Sequence, residues 1–286
     1  MAERQIGVLH PGAMGASVAA AARANGATLF WVSNGRSPAS AERALEAGVE
    51  DAHTLLEMVR RCDLILSICP PDAAEDVAGS VARLGFDGIF VDANAISPAR
   101  SQKIAKSVEW TGADFVDGGL VGSPAWKHGT TRFYLSGPRA EAVADHFAGS
   151  PLDPVVMDGP VGAASSLKMV YAAYTKGTTA LLSAILAVAD REGVREMLEH
   201  EWSLSQPVLA EEVAARIRSI TSKAWRFEGE MQEIVKTFVD AGLPGEFHIG
   251  AAEVYRRLAF FKDAPEPPPL VDVMAALRLK AAEESS

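Results

Sequence analysis

Residues 5–37, QIGVLHPGAMGASVAAAARANGATLFWVSNGRS, constrain the fold more than any other stretch of the chain. An apolar run over 6–9 breaks at His10 and Pro11. Gly12 and Gly15 follow, then an alanine-rich run to Arg23, a stop at Gly26 and a second apolar run over 27–32. This order reads as strand, tight turn, helix, strand. Such a unit sets the amide end of a helix at the tip of a parallel strand, where a pyrophosphate can sit.

The same alternation continues. Helical patterns are predicted over 38–48, 54–61, 72–84 and 101–110, and strands over 64–69, 88–92 and 113–117. Pro70 and Pro71 end the third strand abruptly. Strands alternating with helices predict an α/β fold with a mostly parallel sheet covered on both faces. Two late edge strands are expected over 131–136 and 154–157, with a helix over 139–147 between them. From residue 163 onward the patterns are helical: one unusually long helix over 165–192, then 199–218, 222–241, 250–261 and, after a proline-rich connection at 263–269, a last amphipathic helix over 270–284. The expected organisation is a dinucleotide-binding domain over 1–160 and a mostly helical substrate and dimerisation domain over 161–286.

With 286 residues and 48% apolar composition, the chain can bury a real core. Its formal charge is −10 and it has no basic run, so no nucleic-acid face is expected. The apolar runs read as too short, or too interrupted by charge, to span a bilayer. Two cysteines and no signal-like start point to a cytoplasmic protein. The histidines are dispersed and no zinc-type spacing occurs, so no metal site is expected.

A full dinucleotide fingerprint reads G-x-G-x-x-G. Here the six positions are His10, Pro11, Gly12, Ala13, Met14 and Gly15, so the first glycine is absent. Gly12 can admit a pyrophosphate close to the backbone, with Ala13 and Met14 opening the helix, and Gly15 can permit close packing of helix on strand. An NAD site would place an acidic residue at the end of the second strand. The chain instead has Ser33, Asn34, Gly35, Arg36 and Ser37. Arg36 can oppose a 2′-phosphate, with Ser33, Asn34 and Ser37 as hydrogen-bond donors, and this favours NADP over NAD. Cys69, Pro70 and Asn94 follow the carboxyl ends of predicted strands, the edge where open α/β sheets bind ligands. A simple strand-ending role explains them equally well.

Two further stretches carry candidate chemistry. In DGGLVGSPAWKHG, residues 117–129, glycines such as Gly122 can let a small-molecule substrate approach the backbone, with Ser123, Lys127 and His128 as polar groups and Trp126 as an aromatic surface; a crossing loop with turn glycines is the bland account. In GAASSLKMVYAAYTK, residues 162–176, helical spacing puts Lys168 on one face with Tyr171 and Ala172, and Thr175 one turn later. A lysine there can protonate the oxygen formed when hydride reaches a carbonyl, or remove the hydroxyl proton in reverse, and Tyr171 can orient the same oxygen. The structural alternative is a lysine that snorkels from a packed helix. His248, flanked by Phe247 and Ile249, is a further pocket candidate, for which a core or capping role is the stronger competitor. The acidic group Glu228, Glu230 and Glu233 reads as a solvated helix face.

These residues resemble the β-hydroxyacid dehydrogenase family, which includes 6-phosphogluconate and 3-hydroxyisobutyrate dehydrogenases. The family start G-L-G-x-M-G is matched over 10–15 except at its first two positions. The substrate loop D-x-P-V-S-G-G looks like residues 117–123, and the G-T-L continuation like Gly129, Thr130 and Thr131. In the family's G-x-G-x-x-x-K-x-x-N-N segment Lys168 falls on the catalytic lysine, while Tyr171 and Ala172 replace the paired asparagines; Val121 replaces the usual substrate-binding serine. Residues 168–177, Ala224 to Phe227, Gly229 to Met231 and Gly242 to Pro244 look like a branch whose carboxyl half is called DUF1932. The resemblance implies a Rossmann-type NAD(P)-binding domain, a helical domain, a homodimer and an active site in the interdomain cleft. It implies hydride transfer between an alcohol and its carbonyl. With Val121 and Ala172 in place of polar groups, a larger or less polar alcohol than a small hydroxy acid is expected, an aromatic one included. Imine reduction on the related fold, and a dinucleotide-binding regulatory protein without turnover, are the alternatives.

Arg36→Ala is expected to weaken NADPH binding much more than NADH binding. Equal losses for the two cofactors in a fluorescence titration would reject the role given to Arg36.

Overall fold

The structure is a computed structural model that describes residues 4–278. It divides into two compact units between Met169 and Val170. In the first, strands β1 (Gln5–Leu9), β2 (Thr28–Trp31), β3 (Glu50–Asp51), β4 (Leu64–Ser67), β5 (Ile89–Asp92), β6 (Asp114–Gly122), β7 (Thr131–Ser136) and β8 (Leu152–Val156) form one sheet in the order β3-β2-β1-β4-β5-β6-β7-β8. All pairings are parallel except β6 with β7. The reversal of strand order between β1 and β4 is the switch point where open α/β sheets bind ligands.

Strand periodicity divides the core into two layers. Ile6, Val8, Leu64, Leu66, Ile89 and Val91 bury against α1 (Ala13–Ala24) and its neighbours on one face. Ile65, Phe90 and Phe115 bury on the other against α3 (Leu55–Arg61), α4 (Ala74–Arg83) and α5 (Pro98–Glu109). Between these, α2 (Pro38–Glu46) follows β2, and α6 (Ala140–Ala144) joins β7 to β8. Gly7 lets α3 sit close, since a Cβ there would meet Met58 Sδ at 2.7 Å.

β6 departs from expectation. The sequence predicts a strand ending at Asp117 and a glycine-rich loop beyond it; the strand in fact runs nine residues, Asp114–Gly122. Its first four residues pair with β5, and Asp117–Gly122 pairs with β7. The strand therefore runs past the carboxyl ends of the parallel strands. Its glycines serve packing: a Cβ on Gly119 would lie 2.8 Å from Ala164 O. β7 is consequently an inner strand and β8 the edge. The short strand β3 carries too little apolar sequence to have been anticipated.

The Asp117 carboxylate ties this region together. It accepts hydrogen bonds from Ser101 Oγ of α5 (2.8 Å), Ser136 Oγ of β7 (3.0 Å), the amides of Gly162 (3.0 Å) and Ser165 (2.9 Å), and Ser165 Oγ (2.5 Å). The last three belong to the start of α7 (Ala163–Ala172), so the carboxylate also complements the amide end of that helix.

The second unit is helical. A π-helical turn, Ala173–Gly177, separates α7 from α8 (Thr178–Arg191), so the long helix expected over 165–192 carries an internal bulge. There follow α9 (Arg195–Ser205), α10 (Pro207–Ser219), α11 (Ala224–Asp240), α12 (Glu246–Leu258) and α13 (Leu270–Arg278). The part of the last predicted helix over 279–284 lies outside the described residues. Within the helical run Ala163–Arg191 an 18-residue window has a mean hydropathy of 1.2, which by length and composition is enough to cross a membrane; 44% of that window is buried within the protein. This amends the expectation that every apolar run is too short or too interrupted, although buried core helices pass the same test.

Asp117→Ala is expected to lower the unfolding free energy by about 3 kcal/mol or more, because several donors lose a charged acceptor at once. Chemical denaturation measures this, and an unchanged midpoint would contradict the role of the carboxylate.

Candidate active site

The turn between β1 and α1 is built for a ligand. Gly12 is the N-cap of α1 with no side-chain cap, so the first amides of the helix are not capped by a side chain. A Cβ on Gly12 would meet nothing within 4 Å, whereas one on Gly15 would strike His10 O at 2.7 Å. Gly12 thus supplies open space and Gly15 close packing. Ala13 is exposed, and Met14 is half-buried against the core. His10, at the place of the missing glycine, adopts φ 66°, the left-handed region that glycine favours. Burial, with the nearby charge of Arg36, holds its imidazole down at about 4, so it is neutral at physiological pH.

The segment after β2 turns back on itself, with the Arg36 amide donating to Ser33 O at 3.0 Å. Asn34, Arg36 and Ser37 are exposed. Ser37 already has work, since its Oγ caps α2 by accepting from the Ser40 amide at 3.3 Å. A carboxylate also stands at this segment: Asp51 Oδ1, from β3, accepts the Ser33 amide at 3.2 Å. The sequence reading found no acid here because Asp51 lies eighteen positions away from Ser33 along the chain.

At the ends of β4 and β5, Asn94 makes a bridge. Its Oδ1 accepts from the Cys69 amide at 2.6 Å, and its Nδ2 donates to Ser67 Oγ at 3.1 Å. Its own amide donates to Asp92 Oδ1 at 3.0 Å. Pro70 follows, exposed, at the start of the turn into α4. Asp92 is buried, and burial pushes its carboxyl up to about 7, with Asp117 nearby acting in the same direction. Burial, chiefly, pushes the Cys69 thiol up to about 12.

Lys168 lies on α7, where its Nζ donates to Leu120 O of β6 at 2.7 Å. A Cβ on Gly119 would approach Lys168 Cβ to 3.3 Å, so the bare backbone of β6 lets the lysine stem pass. Val121 is buried, while Gly122, Ser123 and Lys127 are exposed. Gly122 has φ 136° and turns the chain beside Thr130. The first unit thus brings Gly12 to Gly15, Cys69, Pro70, Asn94, Val121 and Lys168 to the same side of one sheet, its carboxyl-end edge.

Tyr171, Thr175 and His248 belong to the second unit. Tyr171 is 45% exposed. Thr175 donates through Oγ1 to Tyr171 O at 3.1 Å within the π-helical turn, and its own carbonyl accepts from Arg216 Nη2 at 2.9 Å. His248 is buried and edge-on to Phe238, and its Nδ1 has no hydrogen-bond partner. It lines an apolar cavity of about 440 Å³ with Gly177, Leu181, Phe247, Ala251 and Val254. Burial lowers the pKa of its imidazole. Sequence reasoning missed the neighbouring cluster: Lys176 pairs with Glu230 and stands 4.2 Å from the Phe227 ring centroid. Glu230 and Glu233 are buried, not solvated. Their alternation with Phe227, Met231 and Ile234 on one helix face was the available signal. Among the described residues no group of three or more His, Cys, Asp or Glu could hold a metal ion.

The sheet order, the uncapped turn and the helical region define a doubly wound nucleotide-binding domain joined to a helical domain. Comparison with known proteins makes this specific. The model for the NAD binding domain of 6-phosphogluconate dehydrogenase matches residues 5–146, and the domain of unknown function DUF1932 matches residues 189–258. The chain thus belongs to the family that carries a 6-phosphogluconate dehydrogenase-like NAD binding domain, in the branch with a DUF1932 carboxyl-terminal domain.

An uncharacterised 28.5 kDa protein of Methanothermus fervidus is 32% identical over 58% of this chain, and mitochondrial 3-hydroxyisobutyrate dehydrogenase of Bos taurus is 26% identical over 46%. The chain spans 63% and 41% of the lengths of these two relatives. A conserved protein of unknown function with structural similarity to 3-hydroxyacid dehydrogenases superposes with TM-score 0.66 at 26% identity, covering 91% of this chain and all of that one. The fold is shared by Mycobacterium tuberculosis 3-hydroxyisobutyrate dehydrogenase (TM-score 0.68, 17% identity, 97% and 100% coverage) and by a Myxococcus stipitatus imine reductase solved with NAD+ (0.56, 19%, 96% and 99%).

Both thiols, Cys62 and Cys69, are pushed up to about 12. At pH 8 the thiolate fraction is then about 10⁻⁴, so both are expected to resist alkylation until the protein unfolds. Mass spectrometry after iodoacetamide treatment tests this; rapid labelling of the native protein would contradict the burial described.

Proposed function

We propose that the protein is an NADP-dependent oxidoreductase that interconverts an alcohol and its carbonyl, with Lys168 as general acid and base. The observation that carries the reading is the Lys168 ammonium held on Leu120 O at 2.7 Å, on the length of β6 that passes the carboxyl ends of the parallel strands. The half-buried Lys168 can exchange that carbonyl for a substrate oxygen.

The residues at the turn fit the dinucleotide. Gly12 leaves room for the pyrophosphate, the amides of Ala13 and Met14 face it from the helix start, and Arg36 with Ser33, Asn34 and Ser37 reads the 2′-phosphate. Cys69, Pro70 and Asn94 border the nicotinamide riboside. When bound, NADP supplies the hydride chemistry. Lys168 moves the matching proton, and Tyr171, further along α7, orients the same oxygen. Val121, Gly122, Ser123, Lys127, Thr175 and His248 are the substrate contacts in this reading. With Val121 buried where a hydroxyl donor would serve a small hydroxy acid, the substrate in this reading is a β-hydroxy acid or related alcohol that is larger or less polar, an aromatic one included. A homodimer is part of the reading: α9 buries none of its residues within the chain and exposes Met197 and Leu204.

Lys168→Ala is expected to cut carbonyl reduction by about 10²–10⁴-fold while NADPH affinity is kept. Steady-state rates over a carbonyl and imine panel, with a cofactor titration alongside, provide the test. Turnover of imines alone, unaffected by the substitution, would replace this reading with imine reduction. NADPH binding without turnover of any compound would make the protein a dinucleotide sensor.

A further inference from the structure

His10 stands where the dinucleotide fingerprint has its first glycine, and it holds the left-handed conformation there at φ 66°. A glycine adopts that conformation freely, whereas a residue with a side chain is strained in it. Strain of this kind persists only where the surroundings hold it. Within the turn, the Gly12 amide donates to His10 O at 2.7 Å, and Gly15 carries no Cβ to strike that same oxygen. From outside the turn, Arg43 of α2 donates through Nε to the carbonyl of the buried Pro11 at 3.1 Å. Its Nη2 donates to Ser40 Oγ at 3.2 Å, and that hydroxyl lies 3.2 Å from Ser37 Oγ, the cap of α2. One guanidinium therefore ties the turn before α1 to the first turn of α2, across 32 positions of chain.

We propose that Arg43 is a positioning residue for dinucleotide binding: by holding the Pro11 carbonyl it keeps the turn of His10 and Pro11 in the shape a glycine would give it, and so keeps the open space at Gly12 and the start of α1 ready for the pyrophosphate. The hydrogen bond suits this task because its donor is charged and directional and its acceptor immediately precedes the N-cap residue of α1. Nε and Nη2 are both engaged on protein oxygens, so the side chain acts through the backbone. The pyrophosphate is common to NADPH and NADH, and loss of Arg43 must weaken both. A contact to the 2′-phosphate, the role given to Arg36, would instead weaken NADPH alone. The inference rests on the dinucleotide reading of this turn and is independent of the preference for NADP.

The test uses Arg43→Met, which keeps the side chain to the position of Nε but removes the donor there, and Arg43→Gln, which puts an uncharged amide nitrogen at that position. Both replacements are good helix formers. By fluorescence titration, Arg43→Met is expected to weaken NADPH and NADH alike, by about tenfold, the scale of one charge-assisted hydrogen bond. Arg43→Gln is expected to recover affinity to within about threefold of wild type. In a His10→Gly background the loss from Arg43→Met is expected to shrink to less than about threefold, because glycine needs no holding in that conformation. Hydrogen exchange of the Gly12 amide reads the turn without cofactor; it is expected to quicken in Arg43→Met and to return towards the wild-type rate in Arg43→Gln. Loss of NADPH affinity alone would make Arg43 a phosphate contact and overturn the proposal. So would equal losses in both His10 backgrounds, no recovery with glutamine, or a Gly12 amide that exchanges at the wild-type rate in Arg43→Met. If wild type bound neither cofactor, the dinucleotide reading would fall and the binding role of Arg43 with it, while the Gly12 exchange would still show whether Arg43 holds the turn.

Discussion

Everything at the candidate site hangs on the Asp117 carboxylate. It stands at the point where β6 leaves β5 and pairs with β7, and it gathers donors from α5, β7 and the start of α7. Without a charged acceptor there, the amides at the start of α7 would lack a partner in a water-poor interior. With it, α7 is fixed against the glycines of β6. The direction of α7 in turn sets Lys168 on Leu120 O. One buried anion therefore connects the topology of the sheet to the placement of the proposed proton donor.

Asp92 completes the picture from the opposite side of the same strand pair. Two acids at matching positions on β5 and β6 have different environments, one saturated with donors and the other buried with an oxygen unpaired. Asp117 holds the start of α7; Asp92 accepts the Asn94 amide, and Asn94 spans the ends of β4 and β5. Burial also keeps the His10 imidazole and the two thiols uncharged.

Much of this was legible in the sequence, where local pattern and tertiary structure agree. The β1–α1–β2 unit follows from apolar runs and two glycines, and Leu64 to Ser67 was recognisable as a buried strand from its continuous apolar character. What escaped was set by partners distant in sequence. Residues 118–122 read as a loop because glycine is a poor strand former, yet β7 pairs along their whole length and α7 packs where Gly119 has no side chain. Asp51 reaches the Ser33 segment only because β3 lies beside β2. Glu230 and Glu233 look solvated until Lys176 and Lys236 supply their counter-charges. The π-helical turn at Ala173–Gly177 has no local signature, since the buried Thr179 and the hydrogen bonds from Arg216 that accompany it are tertiary.

The central claim is that the Lys168 ammonium serves the oxygen of a substrate beside a nicotinamide. A crystal structure with NADP and an unreactive alcohol analogue tests it most directly. The account predicts the nicotinamide at the ends of β4 and β5, beside Asn94, with Lys168 Nζ moved from Leu120 O onto the alcohol oxygen. An ammonium still seated on Leu120 O, with the nicotinamide out of its reach, would contradict it.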